Sequence, residues 1–140
     1  MRLIIVFFFC HNFIKASDYI NCTGCPYHNV SLAAYYPDYS SDNSLDYLDM
    51  RGKKLNTLQD FIDGREAYVT AAMDLIPDVP YGTKICSPEL NEHFGMHIPI
   101  QVRDYNNDLK GNGFSRLDLC VRSESDSYDV AVNKIITIYI

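Results

Sequence analysis

The chain has 140 residues, of which 47% are hydrophobic, enough to enclose the core of one domain. Its formal net charge is −6 at neutral pH, and no run of Lys and Arg stands out. That balance argues against a nucleic-acid-binding protein and against a basic helix on a membrane surface.

The N-terminus has the layout of a secretory signal peptide. Arg2 is followed by an apolar run from Leu3 to Cys10 and then by polar residues. We expect cleavage near Ala16, so that residues 1–16 are removed. The apolar run is far shorter than the roughly 20 residues that cross a bilayer, and no stable membrane insertion is expected. A buried first strand is the alternative.

Cysteine usage also predicts export. Removal of the signal peptide leaves an even set, which is typical of small secreted domains: Cys22, Cys25, Cys86 and Cys120. We expect Cys86 to pair with Cys120, because both lie in strand-like runs, and Cys22 to pair with Cys25 in a local loop. A zinc site is the other reading of Cys22-x-x-Cys25, but no second Cys pair or spaced His pair completes it. No metal or cofactor is predicted.

Residues 17–31 form a polar, cysteine-bearing N-terminal segment. Two glycosylation sequons lie in it, Asn21-Cys22-Thr23 and Asn29-Val30-Ser31. If they are used, the protein follows a eukaryotic secretory route.

The remaining residues, 32–140, are predicted to form one β domain. Alternating or β-branched runs predict six strands, at 32–36, 67–73, 83–86, 98–102, 116–121 and 135–140. Thr57 is expected to cap a short helix, with Asp60 at the third helical position completing an imperfect capping box and Gly64 as the stop. Residues 127–133 are expected to form one or two helical turns. Many short strands with little helix indicate a small barrel or sandwich.

Two connecting stretches are predicted to be loops. The polar stretch 38–49 contains apolar residues that should attach it to the core, namely Tyr39, Leu45, Tyr47 and Leu48. His93 and His97 have helical spacing, but Gly95 between them and Pro99 after them favour a loop over a metal-binding helix.

Three aspartates follow or interrupt these strands: Asp74, Asp104 and Asp118. An ionised carboxylate in an apolar strand is costly unless it is paired or hydrogen-bonded. Each has an ordinary explanation when taken alone. Asp74 and Asp104 could bind turn amides, and Asp118 could pair with Arg116 or face solvent. A functional role therefore rests on the three together.

The order of several short blocks resembles the 3D domain, which is named for three aspartates. The blocks are Ala71-Ala72-Met73-Asp74, Pro80-Tyr81-Gly82-Thr83-Lys84-Ile85, Val102-Arg103-Asp104, Lys110-Gly111-Asn112-Gly113 and Arg116-Leu117-Asp118-Leu119. Upstream, Ala34-Tyr35-Tyr36-Pro37 is similar to the threonine-x-tyrosine segment of such proteins, so the resemblance covers about residues 32–140. It implies an all-β, six-stranded double-psi β-barrel with one or two short helices. That barrel occurs in membrane-bound lytic transglycosylase A and is related to rare lipoprotein A, expansins and barwin-type proteins.

The resemblance also implies a site. Asp118 matches the aspartate that protonates the glycosidic oxygen, Asp104 would line the same groove and help Asp118 to keep its proton, and Asp74 would support the cluster. Arg116 and four tyrosines are candidates for substrate binding, the tyrosines by stacking on sugar rings: Tyr35, Tyr36, Tyr81 and Tyr105. Placement of these tyrosines in the core or at strand edges is the alternative.

The sequence departs from the 3D pattern after Asp104. Tyr105 and Asn106 occupy the positions where the family usually has two glycines, and the interval of 14 residues between Asp104 and Asp118 is longer than in the bacterial enzymes. These departures bear on catalysis more than on the fold.

The predicted protein is therefore a secreted or cell-wall monomer that acts on peptidoglycan, chitin or glucan. Three functions stay open: a glycan-cleaving enzyme, a non-catalytic carbohydrate-binding or wall-loosening protein, and an interaction scaffold.

Overall fold

A computed structural model of the protein describes residues 20–140 and contains six strands and three short α-helices. The strands are β1 (Pro26–Tyr35), β2 (Val69–Ala72), β3 (Thr83–Ile85), β4 (Ile100–Asp104), β5 (Arg116–Cys120) and β6 (Lys134–Tyr139). The helices are α1 (Leu58–Ile62), α2 (Pro88–Phe94) and α3 (Glu124–Ser127). The predicted signal peptide lies outside the described residues. No helix in the described part of the chain is long and apolar enough to span a membrane.

The six strands form one mixed sheet in the order β3-β4-β2-β5-β1-β6. β1 is parallel to β5 and β2 is parallel to β4, while the other three neighbouring pairs are antiparallel. The sheet curls into a half-barrel whose edges meet at Cys86, directly after β3, and Tyr139 of β6. These two residues exchange main-chain hydrogen bonds of 3.1 and 2.8 Å. The mainly β class predicted from the sequence is confirmed.

Both faces of the central strands are buried. The inner face carries the hydrophobic core, which includes Leu117 and Leu119 of β5. The outer face is covered by the long connection between β1 and β2. In that connection the Asn56 carbonyl accepts a hydrogen bond of 2.9 Å from the Thr70 amide, and the Met50 amide donates one of 3.3 Å to the Arg103 carbonyl. On this face Asp104 and Asp118 are buried.

Most predicted elements are confirmed within a few residues. β2 to β6 lie where the apolar patterns placed them. The Thr57 hydroxyl accepts from the Asp60 amide and the Asp60 carboxylate accepts from the Thr57 amide, which is the capping box expected at α1. The helical turns predicted at 127–133 begin earlier, because Ser123 caps α3, and a 3₁₀ turn follows at Val130–Val132.

Three local predictions are wrong. β1 begins at Pro26 rather than Leu32, because its first part pairs with β6 across a bulge at Asn29, whose φ is 57°. The loop predicted around His93 is the end of α2, in which Pro88 occupies the first turn and Gly95 caps the C-terminus at φ 65°. Tyr39 and Leu45 do not anchor the 38–49 stretch, since they are 68% and 67% exposed.

The predicted disulfide pairing is also wrong. Cys22 is bonded to Cys86, with 5.6 Å between their Cα atoms, and Cys120 is a free, buried thiol. Cys86 follows edge strand β3, whereas Cys120 ends β5, and β4 and β2 lie between those strands. Cys25 is disulfide-bonded as well, so neither Cys22 nor Cys25 is available as a thiolate ligand for zinc.

Candidate active site

Asp104 and Asp118 are brought together by the sheet register. Both are partners of Ala72, Asp104 on the β4 side and Asp118 on the β5 side. Residues that face each other across neighbouring strands project to the same side of a sheet. Two strand spacings correspond to about 9.5 Å between the main chains of the two aspartates. The two carboxylates therefore lie on the enclosed outer face, on either side of an alanine.

Asp104 is held in an environment that favours its neutral form. Its side chain is 8% exposed. The Tyr35 hydroxyl donates to Oδ2 at 3.0 Å and the Tyr105 amide donates to Oδ1 at 2.9 Å. Burial raises the pKa of Asp104 to about 6, with a smaller contribution from the Asp49 charge, and the two hydrogen bonds only partly oppose this. Asp104 can thus hold a proton close to neutral pH.

Asp118 has the partners of a charged carboxylate. It is 3% exposed, and Arg116 donates to it through Nε at 3.1 Å and through Nη2 at 3.4 Å. The Asn106 amide adds a hydrogen bond of 3.2 Å to Oδ2. Charge-assisted contacts of this kind are stronger than neutral hydrogen bonds. Arg116, predicted to bind substrate, contacts Asp118 in this structure.

Asn106 leaves one polar atom unsatisfied at this site. Its amide nitrogen is used by Asp118, while its Oδ1 is buried and has no hydrogen-bond partner among residues 20–140. A buried acceptor without a donor costs roughly 1–3 kcal/mol. A donor on a bound molecule, such as a hydroxyl group, would remove that cost. Asn106 was singled out in the sequence only as a departure from a pattern.

Asp74 has different hydrogen-bond partners from Asp104 and Asp118. Its Oδ2 accepts from the main-chain amides of Gly111 and Gly113, at 3.0 and 2.9 Å. Both glycines have positive φ angles, of 83° and 56°, which an L residue adopts with strain. Asp74 therefore orders the loop between β4 and β5, the loop in which Asn106 lies.

Replacement of Asp74 by Ala is expected to lower the free energy of unfolding by about 3 kcal/mol, because two amides lose their charged acceptor. Asp74→Asn should cost less, since one amide oxygen remains to accept. Urea unfolding of both variants measures the effect, with Asp78→Ala, at an exposed position, as the matched control. Equal stability of Asp74→Ala and the wild type would refute this role.

Asp49 is a buried carboxylate that sequence reasoning missed. It is fully buried, and it accepts from the amides of Arg51 and Lys53 at 2.9 and 2.8 Å and from the Tyr81 hydroxyl at 2.6 Å. These bonds close the turn that covers the outer face. Asp49 stands in a polar stretch rich in Ser, Asp and Asn, so nothing in the sequence distinguishes it from solvent-facing neighbours.

The predicted sugar-stacking tyrosines occupy different environments. The Tyr35 hydroxyl binds Asp104, and burial raises the pKa of Tyr35 well above its ordinary value. Tyr81 binds Asp49. Tyr36 is exposed and Tyr105 is half-buried. Within residues 20–140, neither side chain forms a hydrogen bond to these carboxylates. The structure thus brings Tyr35 to the aspartate pair, and it places Tyr81 at the neighbouring turn.

The raised pKa of Asp104 predicts a pH-dependent stability. The folded protein binds this proton more tightly than the unfolded chain, so the group's contribution to stability is complete below its unfolded pKa of 3.8 and is lost as the pH rises through about 6. Asp104→Asn should therefore raise the free energy of unfolding by about 2 kcal/mol at pH 8 and change it little at pH 4. Denaturant titrations at the two pH values measure the difference. The sign would be contradicted if the difference in free energy of unfolding, variant minus wild type, were smaller at pH 8 than at pH 4.

A cavity of about 630 Å³ lies away from the aspartates. It is bounded by the starts of β2 and β4 and the ends of β3 and β6, with Tyr68, Lys84, Gln101 and Tyr139 in its wall. The aspartate pair flanks Ala72, at the C-terminal ends of the parallel strands β2 and β4, so the cavity is at the opposite end of these strands. It does not contain the aspartate pair.

Comparison with models of protein families and with curated proteins found no match for this chain.

Proposed function

We propose that this protein is a secreted, glycan-active β-barrel protein that cleaves glycosidic bonds of a cell-wall polysaccharide. The observation that carries the proposal is the pair formed by Asp104 and Asp118 around Ala72, in which one carboxyl has a pKa of about 6 and the other is hydrogen-bonded to an arginine. Two carboxyl groups with different protonation are what glycoside hydrolysis requires. The resemblance to 3D domains of the double-psi barrel class supports the same reading.

The roles assigned here differ from those implied by the resemblance. Asp104, and not Asp118, is the proton donor, because burial favours its neutral form. Its proton passes to the glycosidic oxygen as the bond from that oxygen to the anomeric carbon breaks. Asp118 stabilises the positive charge that develops on the sugar and takes a proton from the attacking water. Asn106 Oδ1 accepts a hydrogen bond from a hydroxyl of the bound sugar.

The proposed location is outside the cell. The Cys22–Cys86 disulfide is compatible with an oxidising compartment. The predicted signal peptide and the sequons at Asn21 and Asn29 support secretion, and Asn29 is exposed at its bulge. A secreted monomer of this kind would meet peptidoglycan, chitin or glucan.

A second function, non-catalytic carbohydrate binding, is favoured by one observation. Asp104 and Asp118 are only 8% and 3% exposed, so a covering segment must shift before a glycosidic oxygen can reach Asp104. A protein that binds glycan without cleaving it does not need that movement.

Incubation of the purified protein with insoluble peptidoglycan, chitin and β-glucan separates the two functions. Soluble fragments and bound protein are measured in the same tubes. Release of fragments from one polymer supports cleavage, and binding without release supports the second function. If the protein neither binds any of the three polymers nor releases fragments from them, both functions are refuted.

A further inference from the structure

A connected row of cationic and aromatic side chains runs along the outer side of β3 and β4. We call it the basic strip, and it consists of Lys84, Gln101, Tyr68, Arg103, Tyr81 and Arg51. Lys84 and Gln101 face each other across the β3–β4 pair, and both contribute to the wall of the 630 Å³ cavity. The strip therefore starts at the rim of the cavity and continues to Arg103, the residue before Asp104.

Direct contacts hold the middle of the strip together. Arg103 donates from Nε to Gln101 Oε1 at 2.9 Å and from Nη1 to the Tyr81 hydroxyl at 3.3 Å. Its guanidinium lies 4.6 Å from the Tyr68 ring centroid and 5.1 Å from that of Tyr81. Arg51 lies 4.0 Å from the Tyr81 ring centroid. Both guanidinium groups thus lie against the Tyr81 ring, and two hydrogen bonds also restrain that of Arg103.

The strip holds three cations that have no ion pair within the described residues. Among residues 20–140, ion pairs engage Lys54, Arg65, Arg116 and Arg122. Arg51, Arg103 and Lys84 form no ion pair in that part of the chain, although Asp49 shares the Tyr81 hydroxyl with Arg103. Three such cations in one row give an acidic chain of net charge −6 a local positive surface, which would attract an anionic ligand.

Guanidinium groups of fixed orientation are suited to carboxylate and sulfate groups, which they bind through two parallel hydrogen bonds. A row of them fits a polymer that carries such groups at intervals. Nucleic acid fits less well, because the chain has a formal net charge of −6 and no run of Lys and Arg.

We propose that the basic strip is a binding site for an acidic polysaccharide, one that carries carboxylate or sulfate groups. This inference deepens the proposed function by naming the substrate class, and it rests on that function only in placing the bound polymer beside Asp104. Binding to the strip does not require cleavage.

The test is binding of the full chain to polygalacturonate and to heparin, which separate carboxylate from sulfate, with dextran as a neutral polymer and duplex DNA as a competing polyanion. The test variant is Arg51→Gln with Lys84→Gln, since both side chains are exposed and neither enters the core. The matched control is Lys110→Gln with Lys134→Gln, which removes the same charge from two other lysines without ion pairs in residues 20–140.

The wild type is expected to bind at least one acidic glycan and not dextran, with affinity that falls as salt is added. Each charge removed from the strip should weaken binding by about fivefold, and the control should bind like the wild type. The proposal is overturned if neither acidic glycan binds, if the control loses as much affinity as the test variant, or if DNA binds more tightly than both glycans.

Failure of the proposed function would be distinguishable from failure of this inference. Strip-dependent binding with no release of fragments would remove the cleavage reaction and leave the binding site in place. Release of fragments from a neutral polymer without binding to either acidic glycan would support the cleavage reaction and overturn the acidic-glycan site.

Discussion

The Asp104→Asn variant is expected to release soluble fragments from the susceptible glycan at least about a hundredfold more slowly than the wild type, the range of loss seen when a general acid is removed. The asparagine oxygen can still accept from the Tyr105 amide, and its amide group can still contact the Tyr35 oxygen, so the local structure should persist. What is lost is the acidic proton, because a carboxamide does not protonate a leaving oxygen.

Two further variants make this result interpretable. Asp78→Asn makes the same chemical change at an exposed position and should leave the rate unchanged. Asp118→Asn should also slow the reaction, since the developing sugar cation loses its carboxylate. Activity that survives in Asp104→Asn but vanishes in Asp118→Asn would show that Asp118 is the acid, as the 3D resemblance implies.

Removal of the Cys22–Cys86 disulfide should lower stability more than any other change considered. The bond links residues 64 positions apart, and in the chain-entropy account closure of a loop of that size stabilises the folded state by about 4 kcal/mol. It also ties the N-terminal segment to the residue at which the two edges of the half-barrel meet. The double variant Cys22→Ala, Cys86→Ala should therefore unfold at a much lower urea concentration.

The remaining buried cysteine provides the control. Cys120→Ala removes a buried thiol from β5 without opening a loop, and it should cost about 1 kcal/mol. Urea unfolding curves of the three proteins are compared at one pH. If the double variant loses no more stability than Cys120→Ala, the disulfide does not hold the barrel edges together.

The sequence was informative where one local pattern decides the structure. Alternation in RLDLC predicts β5, and Thr57 with Asp60 predicts the start of α1. The same kind of reasoning missed α2, because Gly95 favoured a loop although it is the C-terminal cap of that helix. Pro and Gly end helices as well as interrupt them, and a single short sequence does not tell these uses apart.

The site depended on long-range relations that local patterns do not contain. The three aspartates were identified, but their division into a pair and a loop ligand follows from the Ala72 register and from the position of Gly111 and Gly113. The cysteine pairing likewise follows from strand order, since four cysteines allow three connectivities. Asp49 gained its role from the connection that folds over the outer face, and no spacing rule marks it.

The most direct test of the account is the pH profile of glycan release by the wild type, over a range in which the protein stays folded. In the proposed mechanism Asp104, whose pKa is about 6, is the proton donor, so the rate should fall above that pH and approach a decline of about tenfold per pH unit as the acid loses its proton. A rate that stays constant from pH 5 to pH 8 would show that the reaction does not use the Asp104 proton.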